Sequence, residues 1–350
     1  MEQAKQVATM DSARPASPPS DTQASNVQVI RTLIAGVGSY LPRRIVSNAE
    51  LAQRVDTSDE WITERSGIRQ RHIAQDDETC AMMGTAAARA ALAAAGIAGA
   101  EVDAVLLATA TPDQAFPATA VRVQAAIGAR GFAFDLSAAC SGFIYALSVA
   151  DALIKSGQAR TVLVIGSEVY SRIMNWADRT TCVLFGDGAG AVVLRAGTGA
   201  GGPADRGILS THLHSDGALA EILYVDGAVG RPDKPGHLVM QGKEVFRHAV
   251  SLLAGAVSEA MAANGLTAAD IDWLVPHQAN KRIIDGVGRK LGLSNEHVVV
   301  TVDRHANTSA ASIPLALAAA VADGRIQPGQ LVLMEALGGG LTWGSALVRM

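Results

Sequence analysis

The sequence predicts an α/β protein in which two similar halves each alternate strands with helices. Three observations carry this prediction. From residue 30 onward, segments of strand character keep alternating with segments of helical character, a rhythm that marks α/β folds rather than all-α or all-β ones. Hydrophobic residues make up 49% of the chain, with 35 glycines and only 4% aromatics, and small side chains at this density suit helices packed closely on sheets. A length of 350 residues allows roughly two domains and a large core.

Residues 1–29 stand apart. Pro15, Pro18 and Pro19 sit among Ser, Gln and Thr with little apolar periodicity, which reads as a disordered tail. The segment lacks the apolar stretch of a secretory signal, and its acids argue against a transit peptide; an over-extended translation start fits it equally well. A strand over 31–36 opens the ordered part, followed by a loop with Pro42 and a polar helix over 48–54. A helix over 79–96 ends at Gly96, a strand covers 102–108, and a helix over 118–127 stops at Gly128, glycine being the usual helix terminator. Next come a strand over 132–136, a helix from Ser141, and strands over 161–165 and 189–194. The Gly-rich stretch 197–203 is the best internal boundary, dividing 30–200 from 201–350. The second half repeats the rhythm: a helix over 243–264, a strand over 271–275 running into Pro276 and His277, and a helix over 281–291. A strand over 298–302, a helix over 309–322 and strands over 331–335 and 346–349 close it.

Several function classes drop out. A net charge of −4 and a pI of about 6.1 give no broad basic surface for nucleic acid. Cys80, Cys140 and Cys182 cannot all pair with one another, and no paired-Cys spacing suggests zinc; a reducing cytosol fits them. No apolar run approaches a membrane span, since the Ala-rich stretch 86–98 is broken by Arg89. The run Gly186–Gly190 lacks the Lys-Ser/Thr of a phosphate loop, and Gly36-Val-Gly38 has no third glycine in place. His212 and His214 alternate as on a strand without a visible third ligand, so no metal site is expected.

The chemistry gathers at three residues. Cys140 lies between the strand ending at Leu136 and an apolar helix, near the positive end of that helix's dipole, where a thiolate is favoured. A lone cysteine is more often a buried structural thiol, but the second half supplies matching partners. His277 follows the apolar run Trp273–Pro276, and Asn307 stands between the strand over 298–302 and a helix that begins with Ser309 and Ser312. Sites in α/β folds collect at the carboxyl ends of strands, so the three side chains could meet in one cleft. Alone, the histidine reads as an ordinary satisfied group and the asparagine as a helix cap.

Long motifs now resolve the ambiguity. Asp135-Leu-Ser-Ala-Ala-Cys-Ser-Gly-Phe143, Val275-Pro-His-Gln-Ala-Asn280 and Asp303-Arg-His-Ala-Asn-Thr-Ser-Ala-Ala-Ser312 resemble the β-ketoacyl-ACP synthase III family, the condensing enzymes that initiate type II fatty-acid synthesis. So do Asp56–Ile62, Phe185–Gly190 and Gly338–Arg349, and the resemblance spans nearly all of residues 30–350. It implies a thiolase-type fold with layered α-β-α-β-α architecture, a homodimer, a cytoplasmic location, no cofactor, and acyl-CoA and acyl carrier protein (ACP) as partners. Cys140 would become an acyl-thioester, with His277 and Asn307 as donors to the malonyl thioester oxygen and the N–H groups of Cys140 and Gly339 as a second oxyanion site. Elongating ketosynthases carry a second histidine where this sequence has Asn307. Trp61 would stack on the adenine of CoA with Arg179 on its other face, aided by Thr57 and Arg65. Gly242, Phe246, Ala279 and Asn280 would line the pantetheine tunnel. The carrier would dock around Gln278, Ala279, Asn280, Lys281, Arg282 and Ile283. Phe116 would reach across the dimer into the partner's acyl pocket, which Leu223 and Leu337 also bound. Ala306 and Leu337 depart from the family's common Gly and Phe and leave primer size open. Competing readings are a related condensing enzyme of specialised metabolism with another primer, a non-catalytic thiolase-fold subunit and a degradative thiolase. Intact Cys140, His277 and Asn307 argue against the second, and Asn307 with the docking run against the third.

Overall fold

The computed structural model describes residues 28–350; the expected tail therefore lies outside the described residues, save its last two positions. In chain order the first half contains β1 (Val29–Tyr40), β2 (Arg44–Ser47), α1 (Asn48–Leu51), α2 (Asp59–Ser66), β3 (Gln70–Ile73), α3 (Cys80–Ala95), β4 (Ala104–Ala108), α4 (Thr119–Ile127), β5 (Phe132–Leu136), α5 (Gly142–Lys155), β6 (Thr161–Glu168) and β7 (Gly188–Gly199). The second half contains β8 (Gly207–Ser215), β9 (Leu223–Val225), β10 (Leu238–Met240), α6 (Gly242–Ala263), β11 (Trp273–Pro276), α7 (Lys281–Leu291), α8 (Val302–His305), α9 (Ser312–Ala322), β12 (Leu331–Gly338) and β13 (Thr342–Arg349). Glycine ends α3, α4 and α7 as their sequences foretell, with Gly96, Gly128 and Gly292 all in the left-handed region where a Cβ would be strained.

Two mixed sheets dominate. One has the order β1-β7-β6-β4-β5 and the other β11-β12-β13-β8. Their pairings match strand for strand. β1 with β7 and β7 with β6 are antiparallel, as are β8 with β13 and β13 with β12, while β6–β4 and β12–β11 are parallel. Each sheet draws its strands from one side of the turn between Gly199 and Gly207, so the two halves repeat a topology without visibly repeating a sequence.

Strand alternation builds the layers. Val105 and Leu107 of β4 pack with α3 and α4 on the outer face, while Ala104, Leu106 and Ala108 face the opposite way against α5 and α9. In the second sheet, Val332 and Met334 join that same central layer, and Leu331 and Leu333 face α6 and α7. The order is therefore helices, sheet, helices, sheet, helices, the expected α-β-α-β-α stack. Because both faces of the inner strands are covered, β4 and β6 are apolar runs rather than alternating ones.

One expected strand is absent. Residues 298–302 form only an isolated parallel bridge from Val298 to Leu274, at the place β5 occupies in the other half. The side chain of Gln278 takes the ladder's bonds instead. Its amide nitrogen donates to the Val299 carbonyl (3.0 Å), and its oxygen accepts from the N–H groups of Thr301 (2.7 Å) and Val302 (3.0 Å). The chain then turns into the short α8. The antiparallel β2–β3 pair and α2 were not anticipated; α2 borders the site described next.

Candidate active site

Cys140 sits on a 3-10 turn (Ala139–Ser141) between β5 and α5. Ala139 adopts φ 46°, a conformation that costs about 1 kcal/mol or more outside glycine. The turn is tied to the second half by two bonds, Ser141 Oγ to the Thr342 carbonyl (2.7 Å) and Thr342 Oγ1 to the Ala138 carbonyl (2.9 Å). Gly338 lies against it so closely that a Cβ would come within 2.6 Å of the Cys140 nitrogen. Burial pushes the Cys140 thiol up to about 12; the Ser309 hydroxyl works against this, and the Glu168 carboxyl adds to it. Burial thus works against the thiolate that the helix terminus favours.

His277 caps β11, whose end it fixes by donating its own N–H to the Glu335 carbonyl at 2.8 Å. Its ring Nδ1 lies 2.6 Å from Ser312 Oγ. Burial drives its pKa down to about 3, so the imidazole is neutral at physiological pH. Asn307 is held by its main chain to Leu184 and Gly186 (2.9 and 3.0 Å). Its side-chain oxygen accepts the Ser309 N–H at 2.9 Å. A backbone N–H can only donate, so this contact fixes the amide orientation and leaves the NH₂ for the cavity. Ala306, just before it, holds φ 58° and ψ −162°, a region that is essentially glycine's.

Cys140, His277 and Asn307 all line one cavity of about 920 Å³, drawn from both halves of the fold. Its exposed end is bordered by Trp61, Arg65, Gly242, Phe246, Ala279, Asn280 and Ile283. The Arg65 and Arg179 guanidinium groups lie 4.8 and 5.4 Å from the centre of the Trp61 ring, within cation–π range. Arg179 also pairs with Asp56 at 3.0 Å. Thr57 stays out of the lining and buries a hydroxyl without a partner. Gly339 borders the cavity beside Leu223, as does Leu337. Phe116 does not reach the cavity of its own chain; it is 84% exposed.

The remaining candidates lie on α7. Arg282 is exposed and sits over the Phe246 ring (5.5 Å), and Lys281 pairs with Asp285 at 2.7 Å. Gln278 must be withdrawn from the docking set. It is 1% exposed, and its amide is spent on Pro276, Val299, Thr301 and Val302. Among residues the sequence reading passed over, Tyr170 and Phe185 form a stacked wall (5.0 Å) of the same cavity. Tyr170 lies just past the carboxyl end of β6, the position that could have drawn attention to it.

A cysteine, a neutral histidine and an asparagine on one cavity between the halves of a doubled βα fold fit a condensing enzyme of the thiolase type. Models of 3-oxoacyl-[acyl-carrier-protein] synthase III match residues 134–217, and of its C-terminal part residues 261–350. A β-ketoacyl-[acyl-carrier-protein] synthase III of Acidiphilium cryptum is 72% identical over 91% of this chain and 99% of its own length. Its counterpart in Paramagnetospirillum magneticum is 68% identical over 92% and 100%. The crystal structure of 3-oxoacyl-[acyl-carrier-protein] synthase III from Aquifex aeolicus superposes with a TM-score of 0.86 at 46% identity, covering 91% of this chain and all of that one. The chain belongs to the β-ketoacyl-ACP synthase III family and is an acyltransferase, a condensing enzyme of fatty-acid biosynthesis.

Proposed function

We propose that this cavity joins the acetyl group of acetyl-CoA to malonyl-ACP, giving acetoacetyl-ACP, CO₂ and CoA. The observation that carries the reading is the convergence of Cys140, His277 and Asn307, from both halves of the chain, on one cavity. The Cys140 sulfur attacks the acetyl thioester. Its proton leaves with the departing CoA thiolate, which suits a buried thiol, since a preformed buried thiolate would be costly. The N–H groups of Cys140 and Gly339 hold the oxyanion; among the described residues the Gly339 N–H donates to no backbone carbonyl of a turn, loop or cap.

In the second half-reaction malonyl-ACP loses CO₂, and negative charge moves onto its thioester oxygen. His277 and the Asn307 amide donate hydrogen bonds to that oxygen, the enolate carbon attacks the acetyl-cysteine, and Cys140 leaves and regains a proton. Donors fixed in place in a dry site act strongly on developing charge. The acyl group travels as a thioester throughout, so no cofactor enters the scheme.

For CoA, Trp61 supplies a flat face with Arg65 and Arg179 for phosphate and ring contacts, and Gly242, Phe246, Ala279 and Asn280 border the arm; the Thr57 hydroxyl is buried away from it. For the acidic carrier, Arg282 and Lys281 supply charge, with Ala279, Asn280 and Ile283 beside them. Phe116, Leu223 and Leu337 limit the primer, Phe116 acting across a homodimer. β5 supports that dimer, since it is a free sheet edge exposing Phe132 and Phe134, whose rings stack at 6.4 Å. No helix among the described residues is long and apolar enough to cross a membrane, in keeping with a cytoplasmic enzyme.

The test is to incubate the protein with a panel of acyl-CoAs and weigh it. An acetyl adduct on wild type and none on Cys140→Ala is expected. An adduct of equal yield on the variant removes Cys140 as the nucleophile, and a strong preference for long or branched acyl groups replaces acetyl as the primer.

A further inference from the structure

We propose that Ser312 is a positioning residue that fixes the tautomer of His277, holding the ring hydrogen on Nε2, where it faces the substrate. The inference rests on the reading of His277 as a donor and adds what makes it one. Ser312 opens α9 and is 1% exposed. Its hydroxyl has two neighbours, the Gln278 N–H at 3.3 Å and His277 Nδ1 at 2.6 Å. The Gln278 N–H can only donate, so it occupies a lone pair of Ser312 Oγ. Among the described residues no other acceptor competes for the hydroxyl hydrogen, which points to Nδ1. A ring that accepts at Nδ1 and is neutral must carry its hydrogen on Nε2. Burial keeps it neutral, and the amino end of α9 nearby further disfavours an imidazolium.

The arrangement is shared with Asn307. The Ser309 N–H turns the Asn307 amide so that its NH₂ faces inward, and three residues later the Ser312 hydroxyl does the same for the histidine. One four-residue segment, Ser309–Ser312, thereby sets the polarity of both donors. If His277 held its hydrogen on Nδ1, a lone pair would confront the enolate oxygen and repel it.

The experiment uses full-length enzyme carrying ¹⁵N-labelled histidine. In the wild type at neutral pH, the couplings of the His277 ring nitrogens to the ring protons should show hydrogen on Nε2; hydrogen on Nδ1 overturns the proposal. In Ser312→Ala the Nδ1–H form should appear. kcat for malonyl-ACP decarboxylation should fall about tenfold, less than the roughly 10²-fold expected for losing a donor outright. KM for malonyl-ACP and acetylation of Cys140 should change little, and Ser312→Thr, which keeps the hydroxyl, should recover the rate. An unchanged ring and unchanged decarboxylation in Ser312→Ala also overturn it. Failure of His277 as a donor is a separate result, read from normal decarboxylation in His277→Ala while the wild-type tautomer is as predicted.

Discussion

Ionisable groups buried near the site set the pH behaviour of the protein. Glu335 is 1% exposed, its Oε2 has no partner, and burial raises its pKa from 4.5 to about 8. The folded state therefore holds a proton that the unfolded chain releases above about 4.5. The stability this gives is fully present below that pH and is lost as pH rises through 8. Glu335→Gln removes the titration. Its stability relative to wild type should grow between pH 4.5 and 8 and then level off, by an amount on the order of a few kcal/mol. Urea unfolding at pH 5 and pH 8 checks this, and a difference independent of pH would refute it. His277 has the opposite sign. Its pKa falls from 6.5 to about 3, so its contribution is present above 6.5 and lost as pH falls through 3.

Elements show how far a sequence reveals its structure. The strand over 132–136 and the helix over 281–291 match β5 and α7 to the residue, because apolar pattern and terminal glycine agree there. The strand over 298–302 failed for a reason that no local pattern contains: Gln278, some twenty positions earlier, supplies the partner atoms. The same contacts explain why a residue inside the docking motif belongs to the core. Cys140 and His277 were legible because each follows a strand and sits in a long motif; Asn307 follows the short α8 instead of a strand, and its motif alone drew attention to it. Ser312 was visible as a helix start, but its bond to His277 depends on how α9 packs beside β11. Two substitutions separate these roles. Gln278→Ala should lower stability by about 3 kcal/mol, since it strands several buried backbone groups, as measured by urea unfolding. Arg282→Glu should leave stability alone and raise the apparent KM for malonyl-ACP, most at low salt. Unchanged carrier kinetics would remove α7 from the docking surface.

At the scale of the whole molecule, duplication explains why the cavity draws on both halves. The first half brings Cys140 to it, and the second brings His277 at the end of β11 and Asn307 just past α8. The free edge at β5 extends the same logic to a second copy. Phe134→Lys puts a charge on that edge, the device by which sheets avoid pairing. It should shift the protein toward monomer in light scattering, and a fully dimeric variant would place the interface elsewhere.

The most direct test of two half-reactions in one cavity measures CO₂ release from malonyl-ACP and acyl transfer to Cys140, side by side, in three variants. Cys140→Ala should form no adduct and no acetoacetyl-ACP yet retain CO₂ release, because both donors remain. His277→Ala and Asn307→Ala should still acquire the acetyl group while CO₂ release falls by roughly 10²-fold or more. Loss of acetylation with normal CO₂ release in the His277 and Asn307 variants would contradict the account.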